Sequence, residues 1–117
     1  MSFSDTMRNV WRDWAESQPK VAKTWGATHY PGAMQLVATD FVLILSEQIG
    51  VPVRQFKPTD RFIEDLQIDD PLESGEIVMA VEEYYKLQVP DEAAERLVTV
   101  HDFICYLQQR VHETKPE

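Results

Sequence analysis

The four residues Asp70-Pro71-Leu72-Glu73 fix the beginning of a helix more firmly than any other stretch of this chain. The carboxylate of Asp70 can accept hydrogen bonds from the free N–H groups of a first turn. Pro71 fits the first helical position, where no N–H partner is needed, and Glu73 stands where a capping box places its acid. The helix is expected to reach about Lys86, with these residues facing inward: Leu72, Ile77, Ala80, Val81 and Tyr84.

Two further segments carry apolar residues at helical spacing. One runs from about Ala33 to Ile49, and Gly50 is its natural stop. The other begins at a cap on Thr99, after a short helix over residues 91–97. The residues expected to face inward in these two longer helices are Leu36, Val37, Phe41, Ile44, Leu45, Ile49, Val100, Phe103, Ile104, Leu107 and Val111.

The beginning of the chain predicts an additional amphipathic helix over residues 3–17. Pro19 either ends it or starts a short further turn, and Gly26, Pro31 and Gly32 are expected to mark a loop around His29 and Tyr30. The large side chains available to an interface are Phe3, Trp11 and Trp14, together with Trp25. This aromatic face either packs against the rest of the chain or is exposed for dimerisation or capture of a partner.

A long linking segment, residues 51–69, separates the second helix from the one that begins after Asp70. It contains Pro52 and Pro58, and residues 59–62 are expected to form a short turn of helix. Long loops in small domains are usually functional or internally packed. The apolar residues expected to hold the segment onto the helices are Phe56, Phe62, Ile63, Leu66 and Ile68.

The negative charge of the chain is concentrated in one region. The 117 residues, a length typical of one domain, carry a net charge of −9. Residues 58–97 hold twelve acids and three bases, whereas the rest of the chain holds eight of each. Such an acidic field attracts basic partner surfaces and repels phosphate backbones, so nucleic-acid binding is not expected. The alternative is a solvated acidic face without a partner.

Several other classes of protein are disfavoured by the sequence. The longest strongly apolar stretch, residues 41–45, is far too short to cross a bilayer, and we expect a soluble, cytoplasmic protein without membrane insertion. Cys105 is the only cysteine, and its apolar neighbours predict a buried, inert thiol. The three histidines are scattered and no metal-ligand spacing occurs. We therefore expect no metal site and no catalytic set, and hence no enzyme.

Three stretches of sequence carry a resemblance to a known family. They are "DRFIEDL", "EIVMAVEE" and "VPDEAAERLVTVHDFICYL". They stand in the order and spacing of the acyl carrier protein family, which residues 36–110 resemble. The resemblance implies an all-α, acyl-carrier-protein-like four-helix bundle with an extra N-terminal amphipathic helix. The expected division is an N-terminal helical extension over 1–34, the bundle over 35–112 and a C-terminal tail over 113–117.

The family's chemistry depends on one serine in an Asp-Ser-Leu motif, whose hydroxyl receives 4′-phosphopantetheine. Counted back from "EIVMAVEE", the corresponding position is Pro71; counted forward from "EDL", it is Asp70, because the loop is one residue longer. Neither residue has a hydroxyl, so we expect the attachment site to be lost and no cofactor to be carried. Ser74 is the nearest hydroxyl. It is either a structural first-turn serine or a displaced attachment site, which would have to tolerate a shifted nucleophile.

The resemblance also implies a face on which partner enzymes dock. The positions that correspond to this docking face are Asp70, Glu73, Glu76, Met79, Glu82 and Glu83. The sequence departs from the family at Gly75, where an apolar residue is usual. Basic surfaces of fatty acid, lipid or polyketide biosynthetic enzymes are the expected partners, and charge would steer the encounter.

Three functional hypotheses follow from these observations. The first is a cargo-free interaction module that docks on biosynthetic enzymes. The second is a specialised acyl carrier with its prosthetic arm on Ser74. The third is a structural or assembly protein that forms a homodimer through its aromatic N-terminal helix.

Overall fold

The computed structural model describes residues 17–114, with the backbone alone described for residues 112–114. Every regular element in this range is a helix, and the only bridge between extended residues is an isolated one joining Arg61 and Thr99. The elements are α1 over 17–29 as far as it is described, α2 at Gln35–Ile49, a 3-10 turn at Val53–Gln55, α3 at Pro71–Tyr85, α4 at Asp91–Ala94 and α5 at Val100–Thr114. The predicted all-α class is therefore confirmed for the described residues.

The helix predicted over residues 3–17, with Phe3, Trp11 and Trp14, lies almost entirely outside the described residues. Beyond it the chain stays helical through Pro19 and Gly26 as far as residue 29. The expected loop is therefore confined to residues 30–34, where Gly32 has a φ of 98°, and its predicted extension back to Gly26 is wrong. The physical reason is packing, because Ala22 and Trp25 on this helix are buried in the core.

Gly26 is a point of close approach between α1 and α2, not a turn residue. A Cβ at this position would lie 2.2 Å from Oγ1 of Thr39 and 3.0 Å from the carbonyl oxygen of Gln35. Only glycine lets the two helix backbones come this close without displacing a neighbour.

The core lies between α2, α3 and α5. Phe41 and Leu45 of α2, Val81 of α3 and Leu107 of α5 are fully buried. The rings of Phe41 and Phe103 stack with their centroids 4.7 Å apart. Aromatic pairs at this distance contribute beyond the apolar area that they bury. The predicted inward faces of α2 and α5 are thus largely confirmed.

Four residues expected to face inward are exposed: Leu36, Ile63, Leu72 and Tyr84. Leu72 precedes the buried Ile77 by five residues, which places it about 140° round the helix from the core. Tyr84 lies at the edge of α3, where burial, followed by the neighbouring Asp40, raises the pKa of its hydroxyl. In the turn at 62–66 it is Phe62 that packs against the core, and Ile63 points outward.

The helix boundaries follow the predicted local signals. Oδ1 of Asp70 accepts a hydrogen bond from the backbone N–H of Leu72 at 2.9 Å, and α2 ends at Gly50 with a φ of 73°. A reciprocal capping box starts α5: Oγ1 of Thr99 accepts from the N–H of Asp102, and the Asp102 carboxylate accepts from the N–H of Thr99, both at 3.0 Å. The caps on Asp70, Gly50 and Thr99 are confirmed.

The long segment between α2 and α3 is fastened to the helices by buried side chains and by α1. Phe56 and Ile68 are buried in the core, as predicted. Oε1 of Gln18 accepts from the N–H of Val53, and Nε1 of Trp25 donates to the carbonyl oxygen of Phe56, both at 2.9 Å. Helix α1 therefore holds the 3-10 turn in place. Across residues 17–114, none of the helices combines the length and the apolar character needed to cross a bilayer.

Candidate docking face and cavity around the third helix

The N-terminus of α3 is open to solvent. Asp70 is the N-cap in an extended conformation, Pro71 is the first helical residue, and both are exposed. The proline ring offers neither a hydroxyl nor an N–H. The carboxylate of Asp70 accepts a hydrogen bond from the backbone N–H of Leu72 in the first turn. These two positions can begin a helix, but neither provides an alcohol for esterification.

Ser74 lies one helical turn further along α3. Ser74 is exposed, and its Oγ donates a hydrogen bond to the carbonyl oxygen of Pro71 at 3.1 Å. This back-bond to the preceding turn is a common role for serine within a helix. The same side chain lines the cavity described below. Ser74 is thus both a local structural hydroxyl and the alcohol that is accessible nearest to the helix start.

The outer face of α3 carries a stripe in which apolar and acidic residues alternate. Leu72, Glu76, Met79 and Glu83 are all exposed. Their spacing of four, three and four residues places them within about 60° of one another round the helix. We call these four residues the outer stripe. Leu72 was missed by the sequence prediction because apolar character at helical spacing indicated the core.

Two of the predicted docking acids flank the outer stripe. Glu73 and Glu82 are half-buried. Oε2 of Glu82 accepts from the backbone N–H of Val89 at 2.8 Å, and its carbonyl oxygen accepts from Lys86, which ends the helix with a φ of 57°. Glu82 therefore holds the turn after α3 in place.

A cavity of about 360 Å³ opens on the opposite side of α3, between α3, α4, α5 and the long segment. Its walls are mainly apolar, and two acids also line it, Asp91 of α4 and Glu95 directly after that helix. The lining residues are Phe62, Ile68, Ser74, Ile77, Val78, Asp91, Ala94, Glu95, Leu97 and Phe103. Phe62 and Phe103 meet edge to face, with centroids 6.1 Å apart, and form one wall of the cavity.

A second polar cluster joins the end of α1 to α5. The hydroxyl of Tyr30 and Nδ1 of His101 are hydrogen-bonded at 2.7 Å, and the two rings stack. Burial, and secondarily the nearby Cys105, raises the pKa of Tyr30 to about 12. The phenol therefore stays neutral at physiological pH and serves as a structural link.

Cys105 is half-buried instead of buried as predicted. Its Sγ lies 3.3 Å from Nε2 and 3.9 Å from Nδ1 of His101, so the thiol contacts the imidazole from the side and not along the lone pair of one nitrogen. Burial, followed by the charge of Asp102, raises the pKa of the Cys105 thiol. A neutral thiol in this setting is a poor nucleophile. Among residues 17–111, no three histidine, cysteine, aspartate or glutamate side chains are grouped so that they could hold a metal ion.

Comparison with known proteins places these features in a family. No family model matches the chain. The chain is 43% identical over 65 residues to an acyl carrier protein from Helicobacter hepaticus, and the matched region covers 56% of this chain and 84% of the relative. Acyl carrier proteins are carriers and not enzymes. This identity across most of the relative, together with the helical fold, shows that the chain belongs to the acyl carrier protein family.

Proposed function

We propose that this protein is a cargo-free member of the acyl carrier protein family, which docks on biosynthetic enzymes through α3 without carrying a prosthetic arm. The observation that carries the proposal is Pro71 at the first position of α3. Members of the family typically carry 4′-phosphopantetheine on a serine at this helix start. Neither Pro71 nor Asp70 fits that group, because esterification needs a hydroxyl. Proline preserves the helix start while it removes the nucleophile.

The retained outer stripe supports the docking half of the proposal. Glu76 and Glu83 are exposed and separated by Met79, whose flexible thioether adapts to varied apolar surfaces. The acids lie within a strongly negative part of the chain, which favours lysine- and arginine-rich partner surfaces. Loss of the alcohol together with retention of this face is what a scaffold, decoy or regulator of biosynthetic enzymes requires.

The test of the cargo-free claim is the intact mass of the full chain after co-expression with a promiscuous phosphopantetheinyl transferase. The expected result is an unmodified mass, while a normal carrier protein expressed in the same cells is converted. A gain of one phosphopantetheine on the wild-type chain would refute the cargo-free function.

Ser74 supports a second candidate function, in which the protein is a true carrier with a displaced arm. Its hydroxyl is exposed and lines the cavity beside α3, so a group attached there would start at the mouth of an apolar space. The Ser74→Ala variant distinguishes the two functions. A mass gain in the wild type that this variant abolishes would establish the carrier, whereas identical unmodified masses would remove it.

The docking proposal has its own experiment, which does not depend on modification. Replacing Glu76 and Glu83 by lysine reverses two charges on the outer stripe, and Glu47→Lys with Asp69→Lys makes the same change in net charge elsewhere. Against a basic partner enzyme of fatty acid, lipid or polyketide synthesis, the stripe variant is expected to bind at least tenfold more weakly than the matched control. Equal weakening by both variants would show that net charge, and not this face, determines binding.

A further inference from the structure

One side of α2 presents apolar side chains to solvent. Leu36 is 70% exposed, and Leu43 and Ile44 are half-buried. Leu36 and Leu43 also line a groove of about 470 Å³ between α2 and α1. We call this surface the α2 face. Its five residues are separated by four, three, one and three positions, which places them within about 100° of one another round the helix. They are Leu36, Asp40, Leu43, Ile44 and Glu47.

The beginning of the chain carries an apolar stripe with the same spacing. Its members are Phe3, Met7, Val10, Trp11 and Trp14, and we call residues 3–14 the aromatic segment. This stripe and the α2 face each extend over twelve residues, which corresponds to about 17 Å of helix. An indole N–H usually has an acceptor when it is buried, and the carboxylates of Asp40 and Glu47 are acceptors on the α2 face. The two surfaces are therefore complementary in length, spacing and hydrogen-bonding groups.

The connection to α1 disfavours contact between the aromatic segment and the α2 face of the same chain. Helix α1 lies along the groove with Pro19 and Lys23 in its wall, so the preceding segment reaches that groove only if the chain reverses its direction. Ser17 is already helical, and only Ala15 and Glu16 lie between it and the apolar stripe. Both are good helix formers, and neither is typical of turns. A second copy can receive the segment without such a reversal.

The distribution of charge is also compatible with a second copy as the partner. Residues 1–57 hold six bases and five acids, whereas residues 58–97 hold three bases and twelve acids. Two identical chains therefore repel each other through α3 and α4 and not through the nearly neutral part of the chain that contains α1 and α2. The aromatic segment and the α2 face both belong to this nearly neutral part.

The apolar area involved is sufficient for a stable dimer. Phe3, Trp11 and Trp14 each bury about 150–250 Å² when they are fully covered. Two segments therefore contribute on the order of 900–1,500 Å² before the surfaces opposite them are counted. Stable protein interfaces bury about 1,200–2,000 Å² in total.

From these observations we infer that the protein forms a symmetric homodimer in which the aromatic segment of each copy packs on the α2 face of the other. Each copy supplies one segment and one face, so the two contacts are identical and the assembly is closed. Neither surface includes the start of α3 or its outer stripe. The inference therefore holds or fails independently of the proposed function.

Sedimentation of the full chain across a concentration series tests the dimer with a matched pair of variants. Leu36→Asp and Leu72→Asp make the same change at the second position of α2 and of α3, and both leucines are 70% exposed. Leu36→Asp places a charge within the α2 face and should raise the dissociation constant of the dimer at least about tenfold. Leu72→Asp should change it by less than about threefold. Trp11→Ala should act like Leu36→Asp, because it removes the opposite side of the same contact.

Mixed isotope labelling identifies which chain covers the α2 face. The sample combines equal parts of a chain with isotope-labelled methyl groups and an unlabelled chain. Nuclear Overhauser contacts between the methyl groups of Leu36 or Ile44 on the labelled chain and the indole protons of the unlabelled chain arise only between copies. These contacts are the expected result.

Three results would overturn the inference. Sedimentation as a monomer at every concentration excludes the dimer, and equal weakening by Leu36→Asp and Leu72→Asp shows that the α2 face is not the interface. Indole contacts that arise only within one chain would assign the α2 face to its own aromatic segment. The amide spectrum of each variant verifies that it retains the wild-type fold.

Discussion

Pro71 occupies a position where helix geometry and family chemistry require different properties. The backbone N–H at the first position of an α-helix has no intrahelical partner, so a proline, which lacks this group, fits there. Pro71 occupies this position in α3, and the side chain of Asp70 caps the helix. The start of this helix therefore does not require a serine. This separation predicts that the chemistry can be restored without rebuilding the helix.

Restoring the alcohol is the most direct substitution at this scale. Pro71→Ser recreates Asp-Ser-Leu at the helix start and is expected to gain one phosphopantetheine on co-expression with a transferase, measured by intact mass. Its stability should fall by only about 0.4–1 kcal/mol, because the rigid proline is lost from the first turn. Asp70→Ser tests the alternative alignment, in which Asp70 occupies the position of the family's serine. An unmodified mass for both variants would mean that other features of this chain also exclude the transferase.

Alanine substitutions at Gly26 and Gly75 are expected to have opposite effects on stability. Gly26→Ala forces a Cβ against Thr39 and the backbone of Gln35, and should cost about 1–3 kcal/mol of unfolding free energy. Gly75 lies within α3, and a Cβ there meets nothing within 4 Å. Gly75→Ala should therefore leave stability unchanged or raise it by up to about 1 kcal/mol. Thermal unfolding of both variants checks the pair, and a neutral Gly26→Ala would contradict the close helix contact.

Tyr30 makes the stability of the folded protein depend on pH in the alkaline range. Its pKa in the folded protein is about 12, above the ordinary tyrosine pKa of 10.0, so the folded state retains its proton where the unfolded state loses it. The resulting stabilisation is complete below pH 10 and is lost as the pH rises through about 12. Urea unfolding between pH 8 and 12 should show a decline that is shallower in Tyr30→Phe. Parallel profiles for the two proteins would contradict the assignment.

Among the elements, α1 was the least predictable from sequence and α3 the most. The caps at Asp70, Gly50 and Thr99 depend on neighbouring residues, so local chemistry was sufficient to place them. The extent of α1 depends on Trp25 packing in a core built from distant segments. The acidic rim of the cavity was missed for the same reason, because only the fold brings α4 opposite α3 and α5.

The hydrogen bonds from α1 predict that this helix stabilises the long segment. Gln18→Ala removes the acceptor for the N–H of Val53, a fully buried residue. An unsatisfied buried donor costs about 1–3 kcal/mol, which chemical denaturation can measure. Gln48→Ala, at an exposed position of α2, is the matched control and should change stability by less than about 0.5 kcal/mol. Similar effects of the two substitutions would show that α1 does not fasten the 3-10 turn.

At the scale of the whole molecule, two surfaces of one helix are available for different tasks. The outer stripe of α3 presents acids and apolar side chains to solvent, and its inner side forms a wall of an apolar cavity. The net charge of −9 adds a long-range field that salt screens over about 8 Å at physiological ionic strength. Family membership explains the fold, and we propose that the residue at the helix start determines which of the family's activities this chain retains.

The most direct measurement is the intact mass of the full chain purified from the cells that naturally produce it. The cargo-free account predicts the mass of the bare polypeptide, because no alcohol stands at Pro71 or Asp70. A phosphopantetheine ester on the native protein, at Ser74 or at any other residue, would contradict it.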